Sequence, residues 1–298
     1  MTKLSWNRIG IGLLWRMSFI FPDKLYLKLR YRLETGRKLN LDTPQRFTEK
    51  IQWLKLWFRK PEFTVYVDKL AAKEYVSKKL GDKYIIPTLA EWDNVSQIDI
   101  SSLPEKFVLK TTHGGGSNGV FVCQNKRHLK IDDIKSRLKK AMKSDIYSGY
   151  REWPYKNVTK KVFAEQFMEN REEEELTDYK FYCFNGSPEY CQVIANRHSG
   201  ETIDFYDMDW QHQSFFGLNR QCKQAIKCHN KPECFDEMIM IAKVLSSGLP
   251  FLRVDLYEIN RKVYFGEMTF YPASGMGAFT PDEWDFKLGS RLVLPVKN

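Results

Sequence analysis

The stretch that decides the fold is FVLKTTHGGGSNGVF, from Phe107 to Phe121. Its apolar residues predict a strand that ends at Lys110 and a second short strand over Val120–Cys123. Three adjacent glycines between the strands let the backbone bend sharply, so that several N–H groups can converge on one anion. The stretch therefore predicts a phosphate-binding loop, and an ordinary glycine-rich hairpin is the alternative.

The type of this loop follows from what surrounds the glycines. The loop comprises His113, Gly114, Gly115, Gly116, Ser117, Asn118 and Gly119. No Gly-Lys-Ser/Thr sequence follows, which excludes a Walker-type P-loop, and the strand predicted next excludes a Rossmann turn. The candidate phosphate-binding lysine, Lys110, instead precedes the glycines and lies on the strand.

A second signal is the segment FLRVDLYEINRKVYFGEMTF near the C-terminus. A hairpin with the three-residue turn Asn-Arg-Lys places Asp255 opposite Glu267, and Arg253 opposite Thr269 on the same face. Opposed carboxylates are unfavourable unless a cation lies between them, and hard oxygen ligands suit Mg²⁺. Arg253 beside them could stabilise charge on a transferring phosphoryl group. A solvated pair of acids is the alternative interpretation.

Between these signals lie two further predicted strands. The first contains Glu165, and the second contains Asp178, Lys180 and Tyr182. Alternation places these last three side chains on one face of their strand, and a second lysine near a nucleotide would help to neutralise phosphate. The acidic run at 172–175 between the strands is most simply a solvated loop.

The fold class follows from composition and from the arrangement of predicted elements. The 298 residues are 43% hydrophobic and 28% charged, which excludes collagen-like, coiled-coil and wholly disordered chains. Short strands, mostly joined by turns and with helices between them, predict an α+β architecture with antiparallel sheets. The net charge of +10 favours anionic partners such as nucleotides, acidic polysaccharides, phospholipid head groups or nucleic acid. Six cysteines in a chain of this length do not form a dense disulfide framework, which predicts a reducing, cytoplasmic location. Their spacing also lacks the Cys-x-x-Cys pairs that are typical of a zinc site.

The region before the glycine loop is predicted to be mainly helical. Thr43 followed by Pro44 predicts the start of a helix whose apolar residues recur at three- and four-residue steps. Asp68–Leu80 predicts a second helix, which Gly81 ends. A short strand is predicted next, over Ile85–Thr88.

The first apolar stretch, Ile9–Phe21, follows the basic residues Lys3 and Arg8. It is too short to span a bilayer, and no small-residue cleavage site follows it, so neither a transmembrane helix nor a signal peptide is expected. Two interpretations stay open, namely a helix packed on the protein and an interfacial helix lying on a membrane.

The order of these motifs resembles the TupA-like ATP-grasp family, which is named for teichuronopeptide synthesis and associated with bacterial surface polysaccharides. The segments that carry the resemblance, from about Tyr26 to Gly289, are TPQRFTEKIQWLK, DKLAAKEYV, KTTHGGGSNGV, DYKFYCFNG, RVDLY and FGEMTFYPASG. The resemblance implies an ATP-grasp fold in which two α+β lobes with antiparallel sheets grip ATP. It implies a helical N-terminal region over 1–65 and an ATP-grasp domain over 66–298. The nucleotide lobe is expected at about 105–170, and the metal and acceptor lobe at about 171–298.

The resemblance also implies the cofactors, ATP and Mg²⁺, and the residues that bind them. Lys110 and Lys180 would contact phosphates, and the glycine loop would close over them. The backbone of a hinge strand would bind adenine, and its residues would be Glu165, Gln166, Phe167 and Met168, with an acid from 172–175 available to the ribose. Asp255 and Glu267 would hold Mg²⁺, with Thr269 where many ATP-grasp enzymes have an asparagine.

The catalytic residues implied by the resemblance are Arg253 and Lys180. The acceptor would bind at the loop Tyr271–Phe279, for which a plain C-terminal turn is the alternative. The acceptor residues within it would be Ser274, Gly275, Met276 and Gly277.

The implied reaction is ATP- and Mg²⁺-dependent ligation of an amino acid or another amine to a uronic acid of a capsular or cell-surface polysaccharide, through an acylphosphate. The expected partners are the acidic polysaccharide, or its lipid- or nucleotide-linked precursor, and the amine donor, without nucleic acid. One alternative is a sugar kinase or glycosyltransferase-like enzyme of the same pathway. Another is a basic polymer-binding protein without enzymatic activity. A cytoplasmic location is expected, with peripheral contact at the inner face of the membrane as an open possibility.

Overall fold

The chain begins with helices and continues with short strands between which single helices lie, in a computed structural model that describes residues 3–115, 119–170, 175–197, 199–218 and 223–297. The helices are α1 (Lys3–Arg16), α2 (Asp23–Thr35), α3 (Phe47–Trp57), α4 (Phe63–Val67), α5 (Lys69–Leu80), α6 (Ile131–Met142), α7 (Ile146–Tyr150), α8 (Phe235–Ser246) and α9 (Glu283–Arg291). The strands are β1 (Thr88–Trp92), β2 (Phe107–Thr111), β3 (Val120–Cys123), β4 (Val162–Gln166), β5 (Asp178–Phe184), β6 (Ser187–Ala195), β7 (Thr202–Asp207), β8 (His212–Gln213), β9 (Phe216–Gly217), β10 (Phe251–Glu258), β11 (Val263–Thr269) and β12 (Phe279–Thr280). The strand pairs are antiparallel, which confirms the predicted α+β class.

The first sheet has four strands in the order β1-β4-β2-β3. Its buried face packs against α6 through residues such as Leu109, Ile134 and Leu138, which form a small core of their own. The β2–β3 hairpin carries the glycine loop, as predicted. Lys110 therefore lies near the end of a strand that is paired on both sides.

The second sheet has six strands in the order β11-β10-β5-β6-β7-β8. Every residue of β5 is buried, because α8 covers part of this sheet and the helices near the N-terminus contribute to the same core. Phe47 of α3 packs its ring 5.0 Å from that of Phe251 on β10. The central position of β10 brings side chains from β5, β10 and β11 to one place.

The β10–β11 hairpin has the predicted register at its functional end but a different turn. Asp255 is paired with Glu267, which confirms the prediction. The turn has two residues rather than three, since only Asn260 and Arg261 lie between the paired ends, and both have left-handed backbone angles. This shorter turn shifts the register by one residue, and a bulge at Gly266 shifts it back.

The predicted start of α3 at Thr43 is wrong. The helix begins at Phe47, because the Glu49 carboxylate accepts hydrogen bonds from the backbone N–H groups of Gln45 (3.0 Å) and Arg46 (3.2 Å). A carboxylate from the first turn thus takes the capping role that sequence analysis assigned to a threonine hydroxyl.

The predicted strand Ile85–Thr88 is also wrong, because β1 begins at Thr88 and runs to Trp92. Pro87 precedes it, and proline has no N–H to donate to the ladder with β4. The preceding helix, α5, agrees with the sequence, since Asp68 caps its first N–H groups and Gly81 follows its last residue.

The segment from α1 to α2 is packed on one side only. Leu14 and Ser18 are buried, whereas Leu13, Trp15 and Phe19 are exposed, with Phe19 at 85%. No helix in the described part of the chain is both long and apolar enough to cross a membrane.

Candidate active site

Two lysines converge on one buried carboxylate in the four-stranded sheet. Glu165 on β4 lies beside β2, and its carboxylate contacts the Lys110 ammonium and, at 2.8 Å, that of Lys73 on α5. Burial by itself raises the pKa of Glu165, but the charges of Lys110 and Lys73 lower it below its usual value. The carboxylate therefore stays ionised and holds two cations at the edge of the glycine loop.

Lys73 is a residue that sequence analysis missed. In DKLAAKEYV it resembles one more cation on a solvated helix face, yet its side chain is buried. The signal that could have found it is its spacing, because Lys69 and Lys73 are four residues apart and share one face of α5. Lys69 also belongs to the site, since its ammonium donates to the Gly114 carbonyl at 2.7 Å.

The described part of the glycine loop shows why a glycine is needed at position 119. Gly119 has a φ of +82°, and a Cβ there would collide with the Thr111 hydroxyl and lie 3.2 Å from Thr111 Cγ2. The backbone N–H of Thr111 donates to the Gly119 carbonyl at 3.0 Å, so the two ends of the loop are held together. The predicted phosphate-binding residues Gly116, Ser117 and Asn118 lie outside the described residues.

His113 is buried against α6, with its Nε2 atom 3.3 Å from the Ala141 carbonyl oxygen. Burial lowers the pKa of His113, so the neutral ring is favoured. Its contact with α6 places it at the base of the loop. Gly115 follows Gly114 in the described part of the loop, and an added Cβ would lie 3.4 Å from Ile146 Cδ1.

The predicted adenine-binding segment continues from the strand that holds Glu165. Gln166 is the last residue of β4, and its N–H donates to the Pro87 carbonyl at 2.9 Å. Phe167 and Met168 follow directly and are partly exposed. Among the acids predicted to be available to ribose, 172–174 lie outside the described residues.

The second half of the site lies on the three neighbouring strands of the six-stranded sheet. Lys180 on β5 is paired with Asp255 on β10, and its ammonium contacts that carboxylate and, at 3.3 Å, Asp178. Arg253 donates to Asp255 Oδ1 at 2.7 Å and to Glu267 Oε1 at 3.1 Å. The two carboxylates are thus brought together with cations around them, as the hairpin register predicted.

Thr269 and Lys69 complete this cluster. The Thr269 hydroxyl accepts a hydrogen bond from Arg253 at 3.1 Å, so it lies on the same face as the two carboxylates. Lys69, which also binds the glycine loop, lies 3.4 Å from Glu267 and therefore links the two halves of the site. Local sequence patterns do not reveal this link, because 198 residues separate the partners.

The two carboxylates differ in their electrostatics. Burial raises the pKa of Asp255, which is 1% exposed, although Arg253 and Lys180 oppose this shift. Burial acts in the same sense on Glu267, but the charges of Lys69, Lys180 and Arg253 outweigh it and lower the pKa of that carboxyl. Extra positive charge at Asp255 would favour its ionised form.

The donor chemistry of this cluster fits Mg²⁺. Asp255, Glu267 and Thr269 offer hard oxygen atoms, and Mg²⁺ takes one or two carboxylates and completes its shell with water and phosphate. Within the described residues no group of three or more His, Cys, Asp or Glu side chains is arranged to hold a metal ion.

The family follows from comparison with known proteins. Residues 49–293 match the family described as TupA-like ATPgrasp. The chain belongs to this family. It therefore has the ATP-grasp fold that the motifs predicted.

Solved structures similar to this ATP-grasp protein are distant in sequence. The D-alanine–D-alanine ligase of Bacillus anthracis is 16% identical with a TM-score of 0.41, and the match covers 70% of this chain and 58% of that one. The Helicobacter pylori D-alanine–D-alanine ligase is 17% identical with a TM-score of 0.43, and the match covers 84% of this chain and 70% of that one. The ATP-grasp ligase PsnB with its minimal precursor is 12% identical with a TM-score of 0.38, and the match covers 70% of this chain and 54% of that one. The chain thus spans little more than half the length of two of these proteins, and likeness at this level transfers no substrate. No curated protein sequence matches the chain.

The predicted acceptor loop of this ATP-grasp protein leaves β11 directly after the metal-binding candidates. Ser274 is buried, and Gly275 has a φ of +60°, where an added Cβ would lie 2.5 Å from Ile51 Cγ2 on α3. Gly277 is packed as closely, since its Cβ would lie 2.7 Å from the Leu218 Cα atom. The sulfur of Met276 lies 3.9 Å from a side-chain amide of α3. The glycines of this loop therefore allow close packing against α3 and the 216–218 segment.

Proposed function

We propose that this protein is an ATP- and Mg²⁺-dependent carboxylate–amine ligase that joins an amino acid or another amine to a uronic acid of a capsular or cell-surface polysaccharide. The observation that carries the proposal is a cluster of cationic side chains around two carboxylates in a TupA-like ATP-grasp protein. The cations are Lys69, Lys110, Lys180 and Arg253, and the carboxylates are Asp255 and Glu267. The cations suit the phosphates of a nucleoside triphosphate, and the carboxylates suit its metal ion. The net charge of +10 supports an acidic glycan, or its lipid- or nucleotide-linked precursor, as the partner.

The proposed reaction has two bond-forming steps. A carboxylate oxygen of the uronic acid attacks the γ-phosphorus of ATP, and the bond from that phosphorus to the β,γ-bridging oxygen breaks, giving an acylphosphate and ADP. The amine nitrogen then attacks the acyl carbon and expels phosphate, with loss of one proton from the nitrogen. Enclosure by the two sheets keeps water from the acylphosphate.

Each charged residue has a role in this proposal. Lys110 and Lys73 would bind the phosphates on the side of the four-stranded sheet. Lys180 and Arg253 would stabilise the charge that develops on the transferred phosphoryl group. Asp255 and Glu267, with Thr269, would hold Mg²⁺, which shields the phosphate charges from the incoming carboxylate when it is bound. The backbone of 165–168 would bind adenine, and 274–277 the acceptor.

The domain organisation is part of the same proposal. Residues 1–65 form the helical N-terminal region and 66–298 the ATP-grasp domain. The nucleotide lobe, at about 105–170, contains β2, β3 and β4. Strand β1 precedes this range in the chain but belongs to the same sheet. The metal and acceptor lobe, at about 171–298, contains the six-stranded sheet.

Phosphorus NMR of the purified protein with ATP, Mg²⁺, a panel of uronic-acid oligosaccharides and a mixture of amino acids tests the reaction. We expect ADP and free phosphate only when both the carboxylate and the amine are present, and mass spectrometry then identifies the amide. A new phosphoester signal would instead support a sugar kinase. Tight, salt-sensitive binding of the oligosaccharides without any use of ATP would support a basic polymer-binding protein.

Substitution of Asp255 separates the enzyme from a binding protein. Asp255→Asn should retain binding of the oligosaccharide and lose turnover, because it removes a carboxylate from the metal site. Glu258→Gln is the matched control, since Glu258 lies on the same strand and its carboxylate accepts a hydrogen bond from the Cys234 N–H instead. Equal activity of the two variants would contradict the proposed metal site.

We further propose that the protein contacts the inner face of a membrane through the segment from α1 to α2. Five basic residues are exposed there, namely Arg8, Arg16, Lys24, Lys28 and Arg32. Eight large apolar side chains of the same segment are exposed, namely Ile9, Leu13, Trp15, Met17, Phe19, Ile20, Leu25 and Leu29. An exposed apolar surface beside basic side chains suits an anionic lipid surface.

Co-sedimentation with phosphatidylcholine vesicles, with and without phosphatidylglycerol, tests the contact. The double variant Leu13→Ser, Phe19→Ser should lose sedimentation with the anionic vesicles, whereas Ile226→Ser, at an exposed apolar residue elsewhere, should behave as the wild type. Wild-type sedimentation by the double variant would contradict membrane contact.

A further inference from the structure

The loop that follows β11 contains a strained backbone. Ala273, Ser274 and Gly275 have φ values of 44°, 55° and 60°, so three successive residues are left-handed. Only the last of them is a glycine, and left-handed backbone is unfavourable for residues with a Cβ. Such a conformation persists only where surrounding contacts hold it. The contacts that hold this loop come from α3.

Two side chains of α3 donate four hydrogen bonds to oxygen atoms of the loop. The side-chain amide of Gln52 donates to the carbonyls of Ser274 and Gly275, both at 2.9 Å. The Lys55 ammonium donates to the Ser274 carbonyl at 2.8 Å and to the Ser274 hydroxyl at 2.7 Å. Gln52 and Lys55 are both 0% exposed, so neither can contact a substrate directly. We call this pair of side chains the α3 brace.

The α3 brace is joined to a buried carboxylate. Glu152 is buried, and its pKa is raised by burial, while the charge of Lys55 and the Ser274 side chain oppose that shift. Burial lowers the pKa of Lys55 to about 7, with Glu152 opposing the shift. Lys55 also donates to the Tyr150 carbonyl at 3.0 Å, so it links the acceptor loop to the C-terminal end of α7. An ammonium group buried to this degree is costly, and the three oxygen atoms that accept its hydrogen bonds offset part of that cost.

The braced loop is next to the metal-binding candidates in the chain. Strand β11 carries Glu267 and ends at Thr269, and Ala273 follows four residues later. Tyr155, a partly buried residue three positions after Glu152, has its pKa raised, first by burial and then by the charges of Glu152 and Glu267. The loop thus leaves the strand that carries the proposed metal site.

We propose that Gln52 and Lys55 are positioning residues, which hold the 273–275 backbone left-handed and so set the shape of the site that receives the carboxylate acceptor. The inference rests on the proposed function, because it deepens the role of the predicted acceptor loop. The brace acts on the acceptor and not on ATP, since its hydrogen bonds go to the acceptor loop and to the last residue of α7, Tyr150. The helix that carries the motif TPQRFTEKIQWLK thereby acquires a role in substrate recognition.

Hydrogen exchange followed by mass spectrometry tests the brace without a known acceptor. In Lys55→Met and in Gln52→Leu, loss of two hydrogen bonds should speed exchange of the 271–277 amides at least about tenfold. The N–H groups of Ser274 and Met276 are reporters, because they donate within the loop at 2.8 and 3.0 Å. Affinity for MgATP, measured by calorimetry, should stay at the wild-type value. Gln52→Leu keeps the test decisive if Lys55→Met, which leaves Glu152 without its cation, does not fold.

Lys50→Met is the matched control. Lys50 lies on the same helix and also donates to two carbonyls, those of Gly289 at 2.8 Å and Leu292 at 2.7 Å, but these belong to the C-terminal segment. This variant should leave exchange in the loop unchanged. Unchanged exchange in Lys55→Met and Gln52→Leu, or the same acceleration in Lys50→Met, would overturn the proposal.

A kinetic measurement connects the loop with the acceptor. With the oligosaccharide and amine that the wild type ligates, Gln52→Leu should raise KM for the oligosaccharide about tenfold and leave KM for ATP unchanged. An equal rise in both KM values would overturn the proposed selectivity for the acceptor. Failure of the wild type to ligate any pair would contradict the proposed function alone, because the exchange result does not depend on it.

Discussion

At the scale of single residues, the nucleotide side of the site depends on Glu165, which holds Lys73 and Lys110 together. Lys73→Met should raise the dissociation constant for ATP at least about tenfold, because it removes a charge-assisted contact to phosphate. Calorimetry with MgATP measures this effect. Lys78→Met, at an exposed lysine on the same helix, is the control and should bind as the wild type. Equal affinities of both variants would remove Lys73 from the site.

Glu165 itself makes the stability depend on pH. Its pKa in the folded protein is below the ordinary value of 4.5, so its contribution is present above that value and is lost as pH falls through the folded-state pKa. Glu165→Gln should cost about 3 kcal/mol at neutral pH, because it breaks a buried ion pair. Urea unfolding should show that this difference shrinks as the pH falls below about 4.5 and through the lowered pKa of Glu165. A difference independent of pH would contradict the ion-pair explanation.

At the scale of elements, the β2–β3 hairpin requires a glycine at its second end. Gly119→Ala combines a left-handed backbone with a collision at Thr111, so it should weaken MgATP binding about tenfold and lower stability by about 2 kcal/mol. Gly36→Ala is the matched control, since Gly36 has a similar φ of +75° but open space around its Cα. We expect the control to lose stability only. Weaker MgATP binding in Gly36→Ala would show that the effect is not local to the loop.

In the β10–β11 hairpin we expect a substitution that raises the stability of the protein. Its two-residue turn has left-handed angles at Asn260 and Arg261, and the favoured pair for such a turn is Asn-Gly. Arg261→Gly should therefore stabilise the protein by about 1 kcal/mol. The exposed ion pair of Arg261 with Glu233 is a small loss by comparison. A lower midpoint in urea would contradict the assigned turn.

At the scale of the whole molecule, the described residues form two hydrophobic cores of unequal size. The smaller one lies between α6 and the four-stranded sheet, and the larger one joins α2 and α3 to the six-stranded sheet. Amides of β2 and β3 should therefore exchange faster than those of β5 and β10. MgATP should slow exchange in both sheets, because its proposed contacts lie on both. Protection of one sheet only would contradict a nucleotide held between them.

The sequence by itself determined the type and order of the main strands and the face that carries Asp255, Glu267, Arg253 and Thr269, because alternation along a strand is a local property. It also predicted that Lys110 lies on a strand directly before the glycines, since the lysine and the glycines are neighbours in the chain. The register agreed even though the turn was shorter than predicted. Gly266 restored it, and a bulge of this kind leaves no clear local pattern.

Only the tertiary structure decided which distant groups meet. Lys73 meets Glu165 across 92 residues, and Lys55 meets Ser274 across 219 residues. Both lysines resemble solvated cations in the sequence, because burial of a charge depends on partners that the fold supplies. The start of α3 was likewise decided by a carboxylate that turns back on the chain. Local pattern thus determines elements, whereas charge pairing and burial are properties of the packed chain.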